Sequence, residues 1–285
     1  MTPLPAIAIG PAEHRLHRLP RWLRPLLRNH PPRREFIALA DCSAELGLEI
    51  IAETHITDYL QRGQPVLRFG PSDWDRDRAL LAGVNPGSEW NAHNLEAVAS
   101  YNQLLDLRRK TWNLYLREPA QQAELRELFH HHGPLFVKMV RTGYAKVFGS
   151  FPTFMNSLGD LTQLADENLE VLVSEVLNIR QIQAGSRSVN DEWRHHVYRH
   201  HLVATTHAFT CRADRTDDSG REANVAKAQA VIEELFAEPF ATSYVLDTCT
   251  LADGMVGVIK TSSFFSSTIY SLPAIQTIAA AIATA

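Results

Sequence analysis

The side chains of this sequence with the most chemical potential are cations and carboxylates set near the ends of short apolar runs. Lys138 lies inside Leu135-Phe136-Val137-Lys138-Met139-Val140, a run bounded by Gly133-Pro134 before it and Arg141-Thr142-Gly143 after it. Such a run predicts a buried strand, where an ammonium loses hydration that only a negative partner restores. Lys146 follows a glycine-containing turn, and Val147-Phe148-Gly149 predicts a second strand paired with the first. Two lysines brought to one side of such a hairpin would make a polyanion site, with Gly143 and Gly149 letting backbone approach it. On these residues alone, a pair of solvated edge-strand lysines is the simpler reading.

More charges follow in the same setting. Val171 to Leu177 is an apolar strand carrying Glu175; Glu192-Trp193-Arg194 opens a predicted hairpin. Tyr244-Val245-Leu246-Asp247 is a further strand, and Met255 to Lys260 another after the Asp253-Gly254 turn. Histidines are prominent too, but their spacing is poor for a metal. His130-His131-His132 ends a predicted helix just before Gly133-Pro134, where imidazolium suits the helix dipole. His195-His196 and His200-His201 are adjacent pairs on predicted strands, so the members of each pair point to opposite faces. They read as turn and edge residues, with a zinc site across the hairpin as the weaker alternative.

The elements that must position these groups are mixed. Phe36 to Ala40 predicts a short strand, Cys42 to Ala52 a helix that could also hold a strand at Leu48 to Ile51, and Pro65 to Gly70 a strand. Leu95 to Leu116 and Gln121 to His130 carry apolar residues at helical spacing, Asn178 to Asp191 reads as a polar loop, and Glu222 to Glu238 as a helix. A small apolar helix follows Pro273. Alternating strands and helices without internal repeats predict an α/β or α+β fold.

Length and composition bound the rest. A chain of 285 residues, 45% hydrophobic and 21% charged, has the make-up of a soluble globular protein of one large or two ordinary domains. Its net charge of −4 argues against general nucleic-acid affinity. Cys42, Cys211 and Cys249 are scattered without metal-ligand spacing, as in a reducing, cytoplasmic compartment. There is no apolar run of about eighteen residues, so no membrane helix is expected, and the N-terminus is a poor secretory signal. Between His14 and Arg34 lie seven arginines and three histidines. Pro20 and Pro25 interrupt any continuous helix there, and the segment reads as a basic arm laid on its own domain.

The ordered set FVK with K-x-F-G, then VSEV, EWR, and YVLD, LADG and VIK, spread over roughly Phe129 to Tyr270, resembles the ATP-grasp superfamily, in particular its clade marked by one arginine and two lysines. The resemblance implies three parts: a basic arm at 1–34, a small α/β pre-ATP-grasp domain at 35–125 on the acceptor-substrate side, and an ATP-grasp domain at 126–285 that holds ATP with two sheets. It implies phosphate contacts from Lys138 and Lys146, adenine and ribose contacts from Glu175 and Glu192, and a catalytic Arg194 at the transferring phosphoryl group. ATP and Mg²⁺ are the implied cofactors and an amino-acid or peptide-like molecule the implied substrate; a homo-oligomer stays open.

The metal shell departs from the pattern. Asp247 takes the first metal position, but Lys260 and Ser262 stand where the family has glutamate and asparagine. Lysine brings positive charge toward phosphate but cannot coordinate a metal. Two functions therefore stay open: an ATP-dependent carboxylate–amine ligase working through an acyl phosphate, with Lys260 in its catalytic set, or a catalytically weakened nucleotide- or partner-binding module. A phosphotransferase on the same fold is less favoured.

Overall fold

Ala6-Ile7-Ala8-Ile9 (β1) is wholly buried at the centre of a three-stranded parallel sheet, between β2 (Ile50–Ala52) and β3 (Val66–Phe69). A central parallel strand is covered on both faces and reads as a continuous apolar run, which is why a mildly apolar N-terminal stretch is a strand. This is a computed structural model, describing residues 4–19, 34–70, 111–139, 145–161, 170–184, 186–208, 220–236, 242–264, 267, 269 and 271–284. They form two compact units, one from Met1–Ala92 with Ile179–Ala285 and the other from His93–Asn178. Among the described residues no helix is long and apolar enough to cross a membrane.

Helix α1 (Pro11–Arg18) follows β1, and α2 (Arg34–Glu45) packs against it, with His17 Nδ1 2.7 Å from Asp41. The described part of the basic segment thus lies on its own unit, while residues 20–33 fall outside the described set. The strand expected at Phe36 to Ala40 is instead part of α2. Its buried positions, Phe36, Leu39, Ala40 and Ser43, follow the i, i+3, i+4, i+7 period of a helix face, and a five-residue window is too short to show that period. The short helix α3 (Ile56–Gln61) leads to β3. The C-terminal helix α7 (Leu272–Ala283) packs on α2 and buries Ile275, Ile278 and Ile282 in a core shared with Ile7, Ile9, Leu67 and Phe69.

The other unit is a four-stranded sheet in the order β4-β7-β5-β6, from β4 (Thr111–Tyr115), β5 (Leu135–Met139), β6 (Ala145–Phe148) and β7 (Glu170–Glu175). One face packs on α4 (Pro119–His132) and α5 (Phe151–Leu161) through Leu125, Phe129, Phe154 and Leu158. The helix expected up to Leu116 is β4 over its described part: Trp112, Leu114 and Leu116 alternate inward, a period of two. Helix α4 ends at Gly133 with φ +73°, whose N–H donates to the Phe129 carbonyl, and His130 to His132 occupy its last turn as the dipole argument expects.

The first unit's larger sheet is antiparallel, in the order β11-β10-β12-β13, from β10 (Glu192–Tyr198), β11 (His201–His207), β12 (Tyr244–Thr250) and β13 (Val256–Ser263). The turn between β10 and β11 puts Arg199 and His200 at positive φ, and their amides donate to Ser243 Oγ and the Thr242 carbonyl, so the approach to β12 holds the turn in place. The segment expected as a loop before Glu192 contains a small hairpin, β8 (Gln181–Ala184) and β9 (Arg187–Asn190), whose polar residues hid its alternation.

Helix α6 (Arg221–Phe236) covers one face of this sheet, burying Ala228, Val231 and Ile232 together with Asn224. Asn224 Nδ2 donates to Thr250 Oγ1 and Asn224 Oδ1 accepts from Thr248 Oγ1, while the ring nitrogens of His195 lie 3.0 Å from Thr205 Oγ1 and 2.9 Å from Thr248 Oγ1. Asp191, fully buried at the foot of β10, accepts from Arg180 and from Trp193 Nε1. A Cβ at Gly220 would lie 2.5 Å from Asp191 Oδ2 and 2.9 Å from Arg180 Nη2. Gly220→Ala is therefore expected to destabilise the protein by about 2 kcal/mol through overpacking of a charged network that cannot yield, read by urea denaturation.

Burial pushes the His195 imidazole down to about 4. The unfolded chain takes up a proton near pH 6.5 that the folded chain refuses, so this group's contribution is complete above that pH and falls as pH drops toward 4. A loss of about 3 kcal/mol over that window is expected, and His195→Gln should remove most of the slope between pH 7 and pH 4.5 in denaturant titrations.

Candidate functional site

Three charges stand side by side across three strands. Arg194 on β10 is the registered partner of Asp247 on β12, and Asp247 of Lys260 on β13. Registered partners in an antiparallel sheet share a face, so the charges form a row, positive, negative, positive, on the face opposite His195 and α6. Arg194 Nε donates to Asp247 Oδ1 at 2.8 Å and Nη2 to Oδ2 at 2.7 Å, a bidentate pair, and Lys260 Nζ lies 3.3 Å from Oδ2. Arg194 and Asp247 are buried, whereas the Lys260 side chain is 39% exposed. The register shifts directly after Asp247, where β13 carries an extra residue opposite Asp247 and Thr248; a bulge at this point bends the strand that presents Lys260. Thr206 on β11 is the registered partner of Arg194, and its buried hydroxyl has no hydrogen-bond partner.

Burial alone would raise the Asp247 carboxyl, but the hydrogen bonds and charge of Arg194, helped by Lys260, hold it down to about 2. Glu192, two residues before Arg194 on the same face of β10, accepts from Asn190 Nδ2 at 2.7 Å. Burial pushes its carboxyl up, opposed by that hydrogen bond and by Lys260. The structure thus gathers Glu192, Arg194, Asp247 and Lys260 on one face, from residues up to 68 apart in sequence, 260 − 192.

The groups of the other unit are distributed differently. Lys146 is registered with Val137, a residue of the helix-covered face, and Lys138 with Leu172 and Ala145 on the opposite face. The expectation that both lysines share one side of the hairpin is therefore corrected. Their parity depends on the register of β5 and β6, which sequence spacing across the intervening turn does not determine. Lys138 shares its face with Phe136 and Ser174, and the Ser174 hydroxyl is buried without a hydrogen-bond partner. Lys146 reaches over the Phe148 ring at 5.9 Å. Glu175, at the end of β7, lies 3.2 Å from His132 Nδ1, and His132 also packs on Trp112.

The first unit also holds a concavity that the sequence reading missed. A cavity of about 190 Å³ is lined by Gly10, Pro11, Ala12, Glu13, Glu53, Arg68 and Gly70. It sits at the carboxyl ends of β1 and β3. In the order β2-β1-β3 the chain passes to one side of β1 and then to the other, so this is a topological switch point. Arg68 Nη2 lies 3.3 Å from both carboxylate oxygens of Glu53, and a Cβ on Gly10 would collide with the Glu13 carboxylate. The available signal was a glycine directly after each of two buried apolar strands, Gly10 and Gly70. Among the described residues no three His, Cys, Asp or Glu side chains cluster as a metal site.

No family model matches the sequence, and no curated protein matches it. Solved structures do resemble it along nearly its whole length. A D-cycloserine synthetase, DcsG, aligns with a TM-score of 0.58 at 13% identity, covering 97% of this chain and 99% of its own. The RimK domain protein ATP-grasp of Sphaerobacter thermophilus aligns at 0.55 and 16% identity over 98% of each chain. D-alanyl-alanine synthetase A of Vibrio cholerae aligns at 0.55 and 12%, covering 93% of this chain and 89% of its own. With the parallel sheet, the two antiparallel four-stranded sheets and their helices, these likenesses establish that the chain has the ATP-grasp fold.

Proposed function

We propose that this chain is an ATP-dependent carboxylate–amine ligase acting on an amino-acid or peptide-like substrate through an acyl phosphate. The observation that carries the reading is the Arg194–Asp247–Lys260 row, cations fixed on one sheet face by a carboxylate. Phosphoryl transfer asks a protein mainly for positioning and for positive charge in a water-poor site. Arg194, oriented by both oxygens of Asp247, meets the transferring group. Glu192, Lys138 and Glu175 are the further nucleotide contacts of the proposal, with Lys138 at phosphate; Lys146, on the opposite face of its sheet, is separated from Lys138. The solved relatives named above as a D-cycloserine synthetase and a D-alanyl-alanine synthetase favour ligase chemistry on amino acids.

The chemistry runs in two steps. A substrate carboxylate oxygen attacks the γ-phosphorus, the bond to the β–γ bridging oxygen breaks, and ADP leaves with that electron pair. An amine then attacks the acyl carbon, loses a proton, and displaces inorganic phosphate to leave an amide. The cavity beside Gly10 and Gly70 suits the amino-acid partner. Glu13 and Glu53 offer carboxylates to an ammonium and Arg68 a guanidinium to a carboxylate, so a zwitterion meets complementary charge at both ends.

A second reading, a nucleotide-binding module without turnover, is favoured by one observation, Lys260 in ion-pair contact with Asp247. Calorimetric titration with ATP, followed by coupled detection of ADP in the presence of candidate amino acids, separates the two. The ligase reading expects amino-acid-dependent ADP release, with Lys138→Ala lowering kcat/KM by about 100-fold or more. ATP binding without ADP release for any amino acid supports the module. Absence of ATP binding rejects both.

A further inference from the structure

The resemblance places a magnesium ion at Asp247, and the residues present there do not fit one. Asp247 Oδ1 accepts from Arg194 Nε, and Oδ2 accepts from Arg194 Nη2 with Lys260 Nζ 3.3 Å away. The Asp247 side chain is 3% exposed. Magnesium demands oxygen ligands at about 2.0–2.1 Å in near-octahedral geometry. An ion at that distance from Asp247 would have to displace these donors and sit beside a guanidinium and an ammonium. The strand position facing Asp247 offers Lys260, which donates and cannot coordinate in its charged form.

The same geometry fits an anion. Arg194 and Lys260 bring two positive charges against the one negative charge of Asp247; Glu192, which burial pushes toward its neutral form, and Glu35 also lie within Coulombic reach of these cations. Asp247 orients both cations, and Lys260 is the member that reaches solvent, at 39% exposure. The Thr206 hydroxyl, buried and without a hydrogen-bond partner, stands on the same face as the registered neighbour of Arg194. It can donate to an oxygen acceptor. The nearest acid along the strand, Glu192, accepts from Asn190, which favours its carboxylate form, while burial, the larger effect, disfavours it.

We infer that the Arg194–Asp247–Lys260 row is a metal-free phosphate site, in which the Lys260 ammonium supplies to a nucleoside triphosphate the positive charge that the resemblance assigns to magnesium at Asp247. The inference rests on the nucleotide-binding reading above and is independent of turnover. Asp247 is then the positioning residue for two cations, and the site is loaded without a divalent ion.

The test is calorimetric titration of the full chain with ATP, in EDTA and in excess magnesium chloride, for wild type, Lys260→Gln and Lys260→Glu, with thermal melts to confirm folding. The wild-type Kd in EDTA is expected within about threefold of that in magnesium, and Lys260→Gln is expected to weaken ATP binding in EDTA by about tenfold or more, the loss of one charge-assisted hydrogen bond. Lys260→Glu should bind ATP only when magnesium is present. Nucleotide-free wild type titrated with Mn²⁺ and followed by electron paramagnetic resonance should show no stoichiometric binding, a readout that needs no variant. Wild-type ATP binding that requires magnesium, unchanged affinity in folded Lys260→Gln, or stoichiometric Mn²⁺ binding to the nucleotide-free protein overturns the inference and leaves the nucleotide reading standing. Failure of wild type to bind ATP under either condition removes both.

Discussion

The bidentate pair between Arg194 and Asp247 is the constraint around which the larger unit is built. Both side chains are buried, and removing either partner of such a pair leaves an uncompensated charge at a cost of about 3–5 kcal/mol. Their geometry depends on the register of β10 against β12, and hence on what holds β10 in place. At its foot, Asp191 binds Arg180 and Trp193, and its backbone exchanges hydrogen bonds with Arg180 and Thr250. At its far end, the positive-φ turn at Arg199 and His200 is tied to residues leading into β12. A one-residue slip would send Arg194 to the α6 face and place His195 against Asp247.

This register also explains why both faces of the central strands are polar. On the α6 side, His195, Thr248, Thr250 and Asn224 satisfy one another, and His195 stays neutral because burial disfavours its charged form. Opposite them stand Glu192, Arg194 and Asp247. Paired polar groups specify one arrangement more sharply than apolar ones, since an alternative register leaves buried donors and acceptors unmet. Apolar residues bury beside these polar groups, Trp193, Leu246 and Val258 on the strands and Val231 and Ile232 on α6, while Tyr198 and Phe264 join the core formed by α2, α7 and the parallel sheet. Lys260 is the partly exposed end of the row.

Long elements such as α4, α6, β10 and β12 can be read from their residues, as can the order of charges at their ends. Phe36 to Ala40 could not, because five apolar residues fit a strand or a helix face equally and the deciding residue, Ser43, lies beyond the run. Nor could β4, whose alternation of Trp112, Leu114 and Leu116 follows a helically spaced stretch without a break signal. At the site, the residue types were legible and their directions were not. Lys138 and Lys146 fall on opposite faces because the register of β5 against β6 sets their parity, and Glu175 meets His132 because the register of β5 against β7 pairs it with Leu135. The cavity at Glu13, Glu53 and Arg68 is assembled by strand order alone, which no local pattern encodes.

Replacing a diffusible metal by a resident ammonium changes what a phosphate site can do. A divalent ion brings two charges at about 2.0–2.1 Å and can bridge oxygens of neighbouring phosphates. An ammonium brings one charge through donors at about 2.8 Å. Ground-state binding needs only net positive charge and donors, and Lys260 supplies both. Arg194 has its Nε and one Nη2 hydrogen committed to Asp247.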